Sequence, residues 1–472
     1  METLKQVTNP YLPMWEYIPD GEPYVFGDRV YVYGSHDRFA GDVYCMGDYV
    51  CWSAPVNNLG DWKYEGVIFK KSDDPGNGDL QGNLYAPDVV VGADGKYYLY
   101  YVLSTWDRVS VAVCDTPAGK YEFYGYVHYE DGSYLGLDHG DEAQFDPAVL
   151  REGDTTYLYT GFCGVGDPSK HGAMCTFLGS DMLTVTKAPV FVAPSSVTSE
   201  GTGFEGHAFF EGPSIRKKGD LYYFIYSSEK FRELCYAVSS RPDGDFEYRG
   251  VLVDNGDMGI DTYKRADAPA YYCANNHGSM VEINGDWYIF YHRHTNGTNY
   301  SRQGCLEKLT CDGEENFKQA QITSCGSVPF TKKGEYPAYL ACNLFTDTEV
   351  CYIPWSGWMD DRFPKITQCE DEDKQIIGYV ANMRPSATAG FKFFDCKDVK
   401  KIAVSTKGYA VGKFEVRLDR PDGEPIAVFD IGYNNVWDTK EKAVNVPDGI
   451  HSFFFTYTGE DGYLQFKSFT LG

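Results

Sequence analysis

Long apolar runs, C-x-x-C pairs and an even supply of positive charge are all missing from this chain. Nowhere do about 18 apolar residues follow one another, so no segment has the length of a membrane-spanning helix. The opening METLKQVTNPYLPMW lacks an apolar core of signal-peptide length, and a cytoplasmic protein is expected unless a leader has been removed. Lys and Arg number 42 against 68 Asp and Glu, and the resulting net charge of −26 argues against nucleic acid and anionic membranes as partners. A neutral ligand is compatible with it. The 14 cysteines are scattered through strand-like contexts such as LCYAV and GAMCTF, which points to reduced, structural thiols. Helical periodicity over any long stretch is absent too.

What is abundant is aromatic. Tyr alone contributes 39 residues to an aromatic content of 16%, favouring half-buried strands and flat faces with a polar edge, as sugar sites require. These aromatics recur in one pattern. GDRVYVYGSHD at Gly27, DGKYYLYYVLST at Asp94, GDTTYLYTGF at Gly153, GDLYYFIYSSE at Gly219 and GDWYIFYHRH at Gly285 each pair a Gly/Asp turn with a buried strand. The turn aspartates Asp28, Asp94, Asp154, Asp220 and Asp286 are 66, 60, 66 and 66 residues apart. Five all-β units of this length predict a five-bladed β-propeller over residues 1–325.

Ahead of each turn stands an ionisable residue: Asp20, Asp88, Asp146, Glu211 and His277, by 8, 6, 8, 9 and 9 residues. The first strand of a propeller blade lines the central channel, so equivalent positions converge at one mouth. Singly, each is ordinary turn chemistry, since Asp before Pro or Gly caps loops. As a set, four carboxylates and an imidazole would crowd, splitting their pKa values and leaving one carboxyl protonated near neutrality. That is the condition for general acid/base hydrolysis of a glycosidic bond. A cage for a hard cation is the competing use.

The ordered motifs PDGEP, YAPDV, FDPAV, FFEGPSI and NNHGSM resemble glycoside hydrolase family 43. The resemblance covers roughly residues 7–325 and implies a five-bladed propeller. It implies an inverting hydrolase of pentosyl linkages, an α-L-arabinofuranosidase and/or β-D-xylosidase acting on oligosaccharides from plant polysaccharides. By the match, Asp20 is the general base, Glu211 the general acid, and Asp146 the carboxylate that orients the acid. Asp88 supports the pocket. His277 matches a histidine near the axis that touches a calcium ion or water, the one ion the resemblance implies, with no cofactor required. Arg302, in NYSRQG, matches an arginine contacting the −1 sugar. Tyr85 stands where Trp is usual. Glu205 is a second candidate acid, and Asp138, Asp141 and Glu142 stand beside Asp146; the repeat spacing favours Glu211 and Asp146. His36, Trp106 and Phe162 follow directly on first strands and are candidate pocket walls, or core.

Beyond Gly326 the beat stops. SVPFTKKGEYP reads as a connector over 326–337, and short alternating runs over 338–472 predict an antiparallel, jelly-roll-like sandwich. This part resembles a family-6 type carbohydrate-binding module, with Trp437 and Asn434 as candidate sugar contacts, or a packing domain without a sugar site. Three rival functions remain open: an endo-acting arabinanase- or xylanase-like hydrolase, a phosphorolytic relative, and a non-catalytic sugar-binding platform. Oligomeric state is not encoded in any feature read here.

Overall fold

A computed structural model describes residues 6–104, 108–136, 139–347, 353, 357–370 and 375–472. Its first two-thirds is a ring of five antiparallel blades. The first blade runs Glu22–Phe26, Arg29–Tyr33, Tyr49–Pro55 and Lys63–Phe69 in sequential order. The second spans Asp88–Val91 to Glu122–Tyr126, the third Ala148–Glu152 to Val185–Pro194, and the fourth Phe209–Lys218 to Glu247–Asp254. The fifth has three strands, Met280–Ile283, Asp286–His294 and Arg302–Lys308. Its outer edge is taken by the N-terminal segment: Tyr11 N donates to Gly304 O, and the Asn9 carboxamide exchanges hydrogen bonds with both backbone groups of Leu306. The start of the described chain thereby closes the ring.

The aromatic second strands are buried almost end to end, as in Leu221–Ser228, instead of alternating. Each blade is covered by a neighbour on both faces, so both sets of side chains enter a core. This is also why the tyrosines are tyrosines. Tyr33 donates its hydroxyl to Pro117 O, Tyr100 to Met182 O, Tyr159 to Pro242 O and Tyr223 to Glu315 O, at 2.7 to 2.8 Å. In every case the acceptor lies in the outer turn of the following blade. One buried hydroxyl per blade thus stitches it to the next, each worth about 0.5–1.5 kcal/mol.

The C-terminal part is a β-sandwich built around two long bent strands, Lys401–Leu418 and Gly449–Leu471. They pair along most of their length, with register shifts at 405/406 and 410/412. One half of the pair lies beside Thr388–Cys396 and Pro425–Ile431, the other beside Ile376–Met383 and Asn434–Ala443. The bend therefore carries both strands from one sheet to the other. Phe391, Phe414, Phe455, Phe466 and Phe469 fill the space between, with ring centroids 4.8–6.4 Å apart. Gly334–Pro337, within the stretch read as a connector, pairs with residues 468–471 as a strand of this sandwich.

The sandwich is fastened to the fourth and fifth blades. Lys392 and Asp257 form a buried ion pair at 2.7 Å. Arg293 donates to the carbonyls of Tyr339 and Ala341, and Asn296 N to Ile366 O. Every cysteine among the described residues is free, and most are buried.

Candidate active site

The strand entrances do converge. Asp20, Asp146, Glu211 and His277 line one cavity of about 660 Å³, together with Arg302. That volume suits a mono- or short oligosaccharide. Asp20 and Asp146 both sit in the left-handed region, at φ 57° and 46°, where the chain swings from loop into inner strand. Non-glycine residues seldom occupy this region, and Asp is among the few that tolerate it.

Asp20 is buried, and its Oδ1 takes the Arg302 Nη1 donor at 2.9 Å. His292 Nδ1 lies 3.3 Å from the same oxygen and His277 Nδ1 3.9 Å. Burial pushes its pKa up, but Arg302 and His292 outweigh burial and hold the carboxyl well below the usual range. Asp20 is ionised.

Glu211 is the opposite case. Burial and the Asp20 charge raise its pKa to about 8, against the pull of Arg302. Asp146 is also raised, by burial, Glu211 and Asp20, and its Oδ2 lies 3.7 Å from His277 Nδ1. The three carboxyls thus divide into one fixed anion and a pair that retains a proton at neutrality. His277 is buried and held down to about 4, chiefly by burial, so its ring is neutral. Gly212 gives that ring its place. At φ +62° it turns the chain directly after Glu211, and a Cβ there would stand 2.9 Å from His277 Cγ and Cδ2.

The remaining walls are aromatic: Tyr44, Tyr85, Phe145, Phe162, Phe210 and Phe231. Phe162 is thus placed at the pocket, 38% exposed, and Tyr85 stands there in its usual partner's stead. His36 is not at the pocket. Its ring is spent on Asp48 O and Glu16 Oε1, at 2.9 and 3.0 Å, holding a loop. Asp88 lies deeper in the channel, fully buried, accepting from Tyr24 Oη and Val149 N at 2.7 Å. Burial and Glu22 raise it to about 8. Trp106 and Asp138 fall outside the described residues. The alternative acids are elsewhere: Glu205 is exposed and caps its own loop, Asp141 bonds Tyr129, and Glu142 pairs with His171.

Residues 10–316 match Glycosyl hydrolases family 43, and residues 362–472 match Carbohydrate binding module (family 6). The chain is 59% identical over 470 residues, 99% of both chains, to a xylosidase/arabinosidase of Thermoclostridium stercorarium. It belongs to glycosyl hydrolase family 43. A xylosidase/arabinosidase of Bacteroides ovatus is 29% identical over 60% of this chain and 87% of its own. Among solved structures, a family 43 β-xylosidase/α-arabinofuranosidase from a compost metagenome matches with a TM-score of 0.50 at 26% identity, over 65% of this chain and 94% of that one. A family 43 arabinoxylan arabinofuranohydrolase from Bacillus subtilis shares the fold along 99% of both chains, with a TM-score of 0.52 at 20% identity.

In this family 43 chain the donors around His277 do not fit a calcium ion, which takes six to eight oxygen ligands. Asp20 Oδ1 already carries Arg302. Deeper in the channel the cation is a side chain: Arg216, buried, donates to Glu22, Pro23 O, Ser214 and Ile215 O and stacks on the Tyr24 ring at 4.3 Å. A second cation between two arginines would meet repulsion without a free carboxylate to offset it.

Several pocket residues carry no sequence signal of their own. Asp37 is the clearest: it directly follows His36 in GSHD, yet it is Asp37 that holds Arg302, through Nε at 2.8 Å and Nη2 at 3.1 Å. His292 and Asn299 lie in or after the fifth aromatic strand, and Ile353 comes from beyond the propeller. In the sandwich, Trp437 stacks edge-on against Tyr379 at 5.6 Å and carries Lys407 Nζ 4.4 Å over its ring. Asn434 Oδ1 accepts from Val436 N.

Proposed function

We propose that the chain removes terminal pentose units, α-L-arabinofuranose and/or β-D-xylose, from short plant-derived oligosaccharides with inversion at the anomeric carbon. The observation that carries this is the contrast within one cavity, an Asp20 held ionised facing a Glu211 held protonated to about pH 8. Inverting hydrolysis needs one carboxylate to deprotonate water and one carboxylic acid to protonate the leaving oxygen. Asp20 takes the first role. As water attacks the anomeric carbon, its proton passes to Asp20, while Glu211 gives its own proton to the departing glycosidic oxygen. Asp146 keeps Glu211 protonated by like-charge repulsion until that transfer. Arg302 fixes Asp20 and faces the sugar, and Phe162 and Phe210 offer apolar surface for the ring face. The names of the relatives, xylosidase/arabinosidase, support pentose as the substrate class.

The test is release of p-nitrophenol from α-L-arabinofuranoside and β-D-xyloside, by wild type and Glu211→Gln, with the product anomer followed by proton NMR. Turnover of either sugar with inversion, and a loss of about 10²-fold or more in the variant on a poor leaving group, is the expected result. Retention at the anomeric carbon, or full activity without Glu211, would overturn the assignment.

A further inference from the structure

The sandwich reaches the catalytic pocket itself. Ile353, which belongs to the chain beyond the propeller, lines the cavity beside Cys273 and donates its backbone N–H to Cys273 O at 3.1 Å. It is 7% exposed, so its side chain is enclosed by the wall it helps to form. Immediately beyond it, the same stretch pairs with the fifth blade's last inner loop. Met359 N donates to Gly297 O at 2.6 Å, Thr298 bridges Trp358, and Asn299 N donates to Gly357 O at 3.0 Å.

Asn299 lines the same cavity, and its carboxamide oxygen is buried without a hydrogen-bond partner. A buried carbonyl oxygen left unpaired costs roughly 1–3 kcal/mol, and native proteins retain few such atoms. An acceptor of this kind in the wall of a sugar pocket is matched by a hydroxyl. Both backbone neighbours of the Asn299 side chain are held by the sandwich, so the acceptor's direction is set from outside the propeller.

We infer that the C-terminal sandwich completes the pentose-binding pocket of this enzyme: Asn299 Oδ1 accepts a hydroxyl of the bound sugar, and Ile353 supplies an apolar wall. This rests on the pentosidase reading and adds a substrate-binding task to a domain whose family is named for carbohydrate binding elsewhere. The ligand is a neutral, hydroxyl-rich ring, since the wall offers one acceptor and a hydrocarbon surface and no charge.

The experiment uses the full chain with Asn299→Ala, Asn299→Asp and Ile353→Ala. D-xylose and L-arabinose binding is measured by calorimetry, and KM and kcat on both aryl pentosides. Asn299→Ala is expected to weaken pentose binding and raise KM about ten-fold with kcat nearly unchanged, as loss of one hydrogen bond implies. Asn299→Asp, which keeps an oxygen at that position, should recover most of the affinity. Ile353→Ala should raise KM about five-fold on both substrates. Wild-type affinity in Asn299→Ala and Ile353→Ala overturns the inference, as does equal loss in Asn299→Ala and Asn299→Asp. A wild type that binds pentose more tightly than Asn299→Ala but hydrolyses neither glycoside would sustain the inference and sink the hydrolase reading. Pentose binding by neither protein would overturn both.

Discussion

Arg302 spans two carboxylates: Nη1 meets Asp20 Oδ1 at 2.9 Å while Nε and Nη2 grip both oxygens of Asp37. One guanidinium thereby fixes the direction of the catalytic base and suppresses its pKa. Lysine has a single ammonium and cannot serve both partners. Arg302→Lys should keep Asp20 ionised and yet misplace it, lowering kcat/KM by roughly 10²-fold. Asp37→Asn, which touches no substrate, should lower kcat about 10- to 100-fold by loosening the same fork. Steady-state kinetics at neutral pH check both. Unchanged kcat in Asp37→Asn would show that Arg302 needs no support.

The pH dependence follows from the split among the carboxyls. Glu211 is active while protonated, so the rate should hold through neutrality and fall above about pH 8. Asp20 is held far below the usual carboxylate range, so it sets no acid limb at mildly acidic pH. Stability carries the reverse sign. Glu211 has a higher pKa folded than unfolded, so the native state binds the extra proton, and stability is lost as pH rises from the unfolded value towards about 8. Glu211→Gln removes this penalty. Its melting temperature should exceed that of wild type by a few degrees or so at pH 8, and by less at pH 5. Calorimetric scans at the two pH values test the sign.

Gly212 explains why the acid is followed by glycine. Alanine there would need φ +62° and would press its Cβ to 2.9 Å from the His277 ring, which lies against Asp20 and Asp146. Gly212→Ala should cost about 1–2 kcal/mol from the left-handed backbone alone, and displacement of the imidazole should lower kcat by roughly ten-fold or more. A denaturant titration and a kcat measurement separate the two effects. A variant with wild-type kcat would mean that His277 can shift without consequence.

Some of this was legible in the chain and some was not, for physical reasons. The five Gly/Asp turns with aromatic strands repeat because each blade solves the same packing problem, so the ring and its inward residues could be read from spacing. Asp20, Asp146 and Glu211 meet in the pocket on that logic. His36 did not follow, because a side chain at the end of a strand can turn to a loop as easily as to a channel, and Glu16 captured it. Asp37, one residue on, points inward instead. Nothing in a repeat announces such a choice. Ile353 and the acceptor of Asn299 depend on how the sandwich docks, a long-range relationship that no local pattern encodes. Arg216 in the channel was likewise hidden, since SIRKKG reads as a charged turn until Glu22 and Tyr24 arrive from another blade.

The tyrosine stitches offer the cleanest test of why the ring holds. Tyr33, Tyr100, Tyr159 and Tyr223 each donate to an outer-turn carbonyl of the next blade, and phenylalanine would keep the ring while removing the donor. Tyr100 is wholly buried, and Met182 O is the partner its hydroxyl reaches. Tyr100→Phe should cost about 1–2 kcal/mol, the lost bond plus the desolvated carbonyl left behind. Tyr100 and Tyr223 join different blade pairs, so the double variant should lose the sum of the single losses within about 0.5 kcal/mol. Urea titrations of the two single variants and the double variant measure this. A double variant that loses much more than the sum would show that the blades share strain around the ring, and that the stitches act together in closing it.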